Sequence, residues 1–563
     1  MIETASNARE PDETVRGLDS NRRSLPDSRF EQRLKPVVAV LFLFLIVLIF
    51  RSAWLSEDSY IGWRTVDNFV HGHGLRWNLL DRVQTFTDPL FILVVSAFYA
   101  VTHEIFITVT LLCILFSALA VYFLVGRLSV STAAAIAALA ALLSSRAFLD
   151  YSTSGLENPM TFLLMGGFYL VYFRTQLFDL RKMILLVFII SLVGLNRLDA
   201  MLLLIPGVLL VLTRYVLQHR PPLLRLAAYL LLACSPLWLW LLFSTVYYGF
   251  PFPNTYYAKL HTGIPPGALL FQGCLYYLNA LNRDPITLVV MGCAVYLAIA
   301  QRRARSLAVA CGIVLYLIYV LKIGGDFMAG RFFSIPFFAA VALLARSHLR
   351  PKAFLGLAVC FLGIGLLVQR PSLFNDEDYF IGAPMREVVD HRGIADERGF
   401  IFQSSGLLPV LQRLRLEPRP TWTRRALAVR ATGSTFAIFG NVGFYGFYVG
   451  PRQYILDPFG LGDPLLSKLP ISSSHLKNWR IGHFERTIPA GYPETIQSGR
   501  NQIQDPQIAR LYDVIKVITQ DPIWSWQRFK EIFLINIGHY NNLMKQPNSE
   551  TPGATEWKKP WKG

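Results

Sequence analysis

Blocks of apolar residues recur along the whole chain, beginning with "VVAVLFLFLIVLIF" (37–50) and separated by short polar loops. Crossing a bilayer as a helix takes about 20 such residues, because the hydrocarbon core offers no water to satisfy backbone N–H and C=O groups. The blocks therefore predict a polytopic α-helical membrane protein. A closed barrel is excluded, since its strands alternate in polarity over about ten residues. Composition points the same way: the 563 residues are 53% hydrophobic and only 16% charged, where a soluble chain carries roughly a quarter charged residues.

The formal net charge of +17 invites a nucleic-acid reading. The excess sits in short loops between apolar blocks, so membrane topology explains it better and no nucleic-acid partner is expected. Residues 1–35 are rich in Arg, Asp and Ser and lack an apolar centre; they read as a disordered cytoplasmic tail rather than a signal peptide. Cys113, Cys234, Cys274, Cys293, Cys311 and Cys360 show no paired spacing, which argues against a disulfide framework or a metal site.

Crossings are expected at 36–55, 104–126, 131–149, 158–174, 183–196, 200–217, 223–246, 284–300, 306–323, 332–346 and 352–368, about eleven in all. The block "DPLFILVVSAFYAVT" (88–102) is ambiguous, and the loop charges decide it. Basic loops at 174–182, 214–225, 301–306 and 346–352 share the cytoplasmic side only if 88–102 does not cross. It reads instead as a helix in the outer interface, joined to an amphipathic 59–71 helix that sets Tyr60, Trp63, Val66 and Val70 near one face. Residues 36–371 then form the membrane module, with outer juxtamembrane helices over 59–102. Residues 372–563 form a soluble α/β domain on the outer side, with strand-like "STFAIFG" and "RQYILD" and helix-like "ARLYDVIKVI".

The outer loops share a character: "SEDSY", "STSGLENP" (152–159), "NRLDA" (196–200), "YYGFPFPNTYYAK" (247–259) and "GGDFMAGRFF" (324–333) collect acids, amides and aromatics. A transporter keeps ionisable groups near mid-membrane; here they sit at span ends on one side. That suits a site reached from lipid and from water. Glu57 and Asp58, neighbouring carboxylates beside hydrocarbon, suggest a general base of raised pKa, against a merely solvated span terminus. Glu157 reads either as part of the site or as an acid complementing a helix dipole. Arg197 and Asp199 read as site residues or as a capping pair, and Asn254, Tyr257 and Lys259 as ligands or interfacial anchors. Asp326 and Arg331 flank glycines that let the backbone approach a ligand, and the arginine suits a phosphate. His71 and His73 lack a third metal ligand and read as a turn. Asp457 in "ILDPFGLGDPLL" and His483 with Trp479 and Arg480 in "WRIGHFERTIP" suit sugar contact, or else a capped turn and simple packing.

The acidic pair after the first span, then "Y-I-x-x-R-x-x-x-N-x-x-x-G-x-G-L-x-x-N" and "RVQTFTDPL" (82–90), resembles the GT-C fold membrane glycosyltransferases that use polyprenyl-phosphate sugars. Within them it looks most like the mycobacterial-type terminal arabinofuranosyltransferases of the AftB group. "SGLEN", "PNTYYAK", "GGDFMAGRFF" and the two late motifs extend the likeness over most of 54–490. The resemblance implies a bacterial cytoplasmic-membrane enzyme moving a sugar, arabinofuranose first, from a polyprenyl-phosphate donor in the membrane lipid to a cell-envelope glycan or glycoprotein. It places Asp58 at the catalytic centre with Glu57 beside it, the Glu-Asp pair standing where some relatives have Asp-Asp. Arg197, Lys259, Arg331, Asn254 and Tyr257 would hold donor phosphate, and Arg64, Arg82, Glu157, Asp199, Asp326, Asp457 and His483 would contact substrate. No metal or further cofactor is required, because the leaving phosphate already carries charge. The rival readings are transfer of mannose or aminoarabinose to protein or lipid A, and a flippase of polyprenyl-linked sugars.

Overall fold

The computed structural model describes residues 28–544 except 175–178, 261, 369, 373–388, 391–392, 415, 473–474 and 477–478. The tail expected over 1–35 lies outside the described residues as far as 27. From Ser28 the chain is already helical, and Glu31 in the first turn accepts a hydrogen bond from the Thr132 N–H at 2.5 Å.

A helix occupies each of the eleven expected positions, but their lengths differ. Four are long and apolar enough to cross a membrane alone: Phe30–Arg51, Ile105–Leu128, Leu198–His219 and Ala304–Lys322. Two bent pairs raise the number to six, Leu223–Ala233 with Ser235–Tyr248 at 64° and Pro266–Arg283 with Pro285–Gln301 at 104°. The helix Pro266–Arg283 was not among the expected crossings. Thr132–Ser144, Arg331–Ala345 and Pro351–Leu367 are apolar but shorter. Length and composition therefore give four to six crossings in place of about eleven.

Two of these short helices are inner ones. Thr132–Ser144 and Arg331–Ala345 are buried over nearly their whole length. Alanine and glycine let their neighbours approach closely, as small residues do between helices in lipid; a Cβ on Gly365 would come within 2.6 Å of Ser144 Cβ. The outer helices show two faces. Ser28–Arg51 buries Leu45, Leu48 and Ile49 and turns Val40, Leu43, Phe44 and Val47 outward, the arrangement of a helix between protein and lipid.

Helices stand at both positions of the expected interfacial pair, Ser59–Val70 and Pro89–Thr102, the second only 14 residues long. At 1.5 Å per residue that is about 21 Å, too short to cross. Tyr60, Trp63 and Val66 are buried, with Trp63 edge-on to Phe91 at 5.5 Å.

The basic loops and the acidic loops lie at opposite ends of the bundle. At one end Arg174 Nε donates to the Arg127 carbonyl at 3.0 Å, Arg346 to Leu128, and Arg303 meets His348. At the other end the acidic loops converge, as described below.

The C-terminal segment departs from the expected α/β domain. "STFAIFG" and "RQYILD" do form strands, Phe436–Ile438 and Tyr454–Leu456, pairing in parallel, and "ARLYDVIKVI" lies in the helix Pro506–Gln520. Among the described residues the sheet stops at these two strands; the remainder is short helices and turns. The segment also shares its cores with the 52–103 region. Leu407 N–H donates to the Ala53 carbonyl at 2.8 Å, Arg398 Nε to Ser52 at 3.1 Å, and Ile61 and Trp77 pack with Ala426, Phe439 and Tyr445.

Candidate active site

Glu57 and Asp58 sit where the chain leaves its first long helix and turns into Ser59–Val70. The turn is held by Ser56, whose N–H donates to the Ser154 carbonyl at 2.8 Å, so two outer loops meet under the acidic pair. The two carboxyls then part. Glu57 Oε1 accepts the Gly443 N–H at 2.6 Å. Burial and the neighbouring Asp58 charge hold its carboxyl well above the ordinary glutamate range. Asp58 is half-buried, and its carboxylate makes no hydrogen bond or close ion pair with any described residue. Burial raises its pKa; Lys259, Arg331 and Arg480 lie near enough to oppose that rise, and Asp326 adds to it.

Gly443 is required for this arrangement. A Cβ there would stand 1.9 Å from the Glu57 carbonyl oxygen and 2.8 Å from Oε1. Gly443→Ala is therefore expected to push the C-terminal segment off Glu57, at about 1–3 kcal/mol for such overpacking. A lowered melting temperature together with faster proteolysis near residue 443 would show it.

Around Asp58 stands a chain of buried ion pairs built from three outer loops. Arg197 donates to Glu157 Oε1 at 2.7 Å and to Asp199 Oδ1 at 2.9 Å, with Tyr316 OH donating to Asp199 Oδ2 at 2.9 Å. Arg331 reaches the same Glu157 oxygen at 3.5 Å and Asp326 Oδ2 at 3.5 Å, and its Nε is buried without a partner. Gly324, Gly325 and Gly330 have positive φ, and a Cβ on Gly325 would lie 2.4 Å from Tyr276. Only glycine admits that bend, and the bend brings Asp326 and Arg331 together. Glu157 thus bridges two arginines, which is more than a carboxylate complementing its own helix dipole.

Lys259 rides on the short helix Asn254–Leu260, and its ammonium makes no hydrogen bond or close ion pair among the described residues. Asn254 holds that helix in place: its Nδ2 donates to the Gly460 and Asp463 carbonyls, both at 2.9 Å. Tyr257 lies under the Lys468 ammonium, 3.2 Å from the ring centroid. Neither Asn254 nor Tyr257 is brought against Asp58.

Other predicted residues hold the fold together elsewhere. Arg64 donates to the carbonyls of Trp77 at 2.7 Å, Gln453 at 2.8 Å and Gly446, clamping Ser59–Val70 to the C-terminal segment. Arg82 donates to Ile518, Gln520 and Asp521, the open carbonyls at the end of Pro506–Gln520. Asp457 accepts from the N–H groups of Phe459, Leu461 and Gly462, a capped turn. His483 packs edge-on between Phe327 and Phe459, the first of them next to Asp326 in the chain.

Two residues of the cluster, Glu397 and Asp88, escaped the reading of site residues in the sequence, and a third, Arg480, has another partner than the one expected. Glu397, first residue of the helix Glu397–Ser405, carries a half-buried carboxylate with no described hydrogen-bond partner, facing Asp58 and Arg480. Burial and the Asp58 charge push its pKa up to about 8. Asp88, before Pro89–Thr102, is likewise raised to about 8 by burial and by Glu157. Arg480, expected to stack on sugar, turns its charge toward Asp58, Glu397 and Asp326 while Nε donates to the Gly393 carbonyl at 2.8 Å. The available signal was "GIADERGF" (393–400), a second adjacent pair of acids opening a helix as Glu57 and Asp58 do.

Glu397 gives the folded protein a pH signature. It keeps its proton up to about pH 8 when folded, whereas an ordinary glutamate loses it near 4.5. Between those values the folded state binds more protons than the unfolded one, so this group makes stability fall as pH rises. Melting temperatures across that window should decline for the parent chain and decline less for Glu397→Gln. Equal slopes would remove Glu397 as the responsible group.

Chemically, the cluster offers an unpartnered carboxylate, Asp58, among cations of which Lys259 carries no close counter-ion. Such a centre can take a proton from a hydroxyl and receive an anionic leaving group beside it. No protein-family model matches the chain, and no curated protein matches it. Among solved structures, ArnT from Cupriavidus metallidurans bound to undecaprenyl phosphate is similar over 76% of each chain, at 14% identity and a TM-score of 0.42. A likeness of that degree carries no weight in assigning this chain.

Proposed function

We propose that the chain is a membrane glycosyltransferase that moves a sugar, arabinofuranose first, from a polyprenyl-phosphate donor to a cell-envelope glycan or glycoprotein. The observation that carries the reading is the half-buried, unpartnered Asp58 carboxylate set among Lys259, Arg331 and Arg480. The donor's isoprenoid lies in the bilayer beside the bundle, on the outer face of a bacterial cytoplasmic membrane. Its phosphate meets Lys259 and Arg331. The acceptor hydroxyl gives its proton to Asp58 as the anomeric carbon gains oxocarbenium character. The anomeric C–O bond breaks, and its electron pair leaves with the polyprenyl phosphate. Three cations offset the charge that gathers on the leaving group, the electrostatic part of the rate enhancement.

Arg197 plays a supporting part in this reading. Glu157 and Asp199 already neutralise it, so it holds Glu157, which in turn holds Arg331. Glu57 orients the C-terminal segment over the site through Gly443. Arabinofuranose rests on the motif order over 54–490; the geometry of the cluster serves any sugar phosphate. Purified protein in liposomes, supplied in turn with labelled polyprenyl-phosphoryl arabinose, mannose and aminoarabinose, separates the readings. Transfer from the arabinose donor supports the first choice, and transfer from another alone reassigns the sugar. Translocation of intact donor with no transfer from any of them would favour a flippase.

A further inference from the structure

The helix Trp526–Asn536, in the C-terminal segment, is apolar on two faces. Its inner face is packed: Arg528, Ile532 and Ile535 are buried. Its outer face is not. Trp526 is 84% exposed, Phe533 63% and Ile537 61%, and Trp524 just before the helix is 80% exposed. Residues 526, 530, 533 and 537 fall at i, i+4, i+7 and i+11, so one stripe carries three large apolar side chains and the exposed Lys530. Scattered single apolar residues on a surface need no explanation, but such a stripe with a second exposed tryptophan just before it does.

The position of the helix indicates what covers that stripe. Arg528 donates to the Val246 carbonyl at 2.7 Å and to Tyr247 at 2.9 Å, and Asn536 donates to Gly249 at 2.8 Å. These are the last carbonyls of Ser235–Tyr248, half of a bent pair long and apolar enough to cross a membrane. Gly249 also lets the helix Pro506–Gln520 pack against this end, since a Cβ there would lie 2.1 Å from Ile518 Cγ2. The same membrane helix leaves Trp238, Leu239, Leu242 and Phe243 exposed along its length. The stripe therefore lies on a helix bonded to the end of another whose exposed side chains are apolar along its length.

We infer that Trp526–Asn536 lies on the outer-leaflet interface of the bilayer the chain spans, with Trp524, Trp526, Phe533 and Ile537 inserted at the headgroup boundary and Lys530 facing lipid phosphate. Tryptophan is suited to that depth because its ring is apolar and its N–H remains hydrogen-bonded. The C-terminal segment is then held on the lipid by this helix as well as on the rest of the protein by contacts such as Glu57–Gly443. The inference needs only the membrane-crossing helices and is independent of the reaction catalysed.

A photo-crosslinking experiment tests it. The full chain is placed in nanodiscs of phosphatidylethanolamine and phosphatidylglycerol containing a phospholipid with a diazirine near its glycerol end. After irradiation, peptides are mapped by mass spectrometry. Lipid adducts are expected on Trp524, Trp526, Phe533 and Ile537 as well as on Phe243. In the W526S/F533S/I537S variant the adducts on the stripe should be lost while those on Phe243 persist, which also reports an intact fold. Labelling of Phe243 without the stripe in the parent chain would overturn the inference. So would Lys530-to-Lys530 crosslinks between two copies in place of lipid adducts, which would make the stripe a dimer contact.

Discussion

Asp58→Asn is expected to lower sugar transfer by about 10²–10⁴-fold, the range over which general-base catalysis contributes. The substitution keeps the size of the side chain and the reach to Lys259 and Arg331 but removes the ability to hold a proton from the acceptor. Because the Asp58 carboxylate makes no hydrogen bond with any described residue, the substitution breaks no described side-chain hydrogen bond, and the melting temperature should hardly move. Removing one negative charge from beside three cations should leave donor binding intact or tighten it. The measurement is single-turnover transfer from labelled donor in liposomes, with donor binding followed separately. Full transfer by D58N would exclude Asp58 as the base and pass that part to Glu397, the other unpartnered carboxylate of the cluster.

The second large effect is expected on stability. Glu157→Ala removes the carboxylate that bridges Arg197 and Arg331 at 2.7 and 3.5 Å. Removing one partner from a buried pair costs about 3–5 kcal/mol, because the remaining charge is left without compensation. Here Asp199 still holds Arg197 and Asp326 still holds Arg331, so the lower end of that range applies. Arg331 also loses the group that fixes its direction, and the KM for donor should rise. Glu157→Gln, which keeps an acceptor oxygen but not the charge, should fall between the parent and the alanine variant in both readouts. Thermal unfolding in detergent and a KM series on the same preparations check the pair; an alanine variant as stable as the parent would mean that the ion-pair chain contributes little.

Much of the site was legible before any coordinates. Asp58, Glu157, Arg197, Asp199, Lys259, Asp326 and Arg331 were singled out because ionisable residues beside hydrocarbon are costly and all fell at one end of the apolar blocks. The structure brings these seven into one cluster. Arg64 and Arg82, which the resemblance implied, and Asp457, which suited sugar contact, do something else. A guanidinium binds backbone carbonyls as readily as phosphate, and a carboxylate binds backbone N–H groups as readily as a sugar. Which of these partners is present depends on chain brought in from far away: Gly446 for Arg64, Ile518 for Arg82. Glu397 was missed for the converse reason. Its local signal, an acidic pair opening a helix, does not say what it faces, and only the folding of the C-terminal segment onto residues 52–103 carries it to Asp58.

The C-terminal strands show the limit in another way. "STFAIFG" and "RQYILD" have the strand pattern and form strands. A sheet, however, needs further partners, and among the described residues the neighbouring backbone groups are met by Asp457, Asp463 and Arg486 instead.

Alone, the sequence determined that this chain is built of apolar helices suited to a bilayer and that its acids gather at one end, because the cost of polar groups in hydrocarbon falls residue by residue and is visible in their order. Tertiary structure decided which of those polar groups are tied to one another and which stand open: Arg197 closed between two carboxylates, Asp58 and Lys259 left available. That distinction depends on distances of a few ångströms between loops remote in the chain, and no local pattern encodes them.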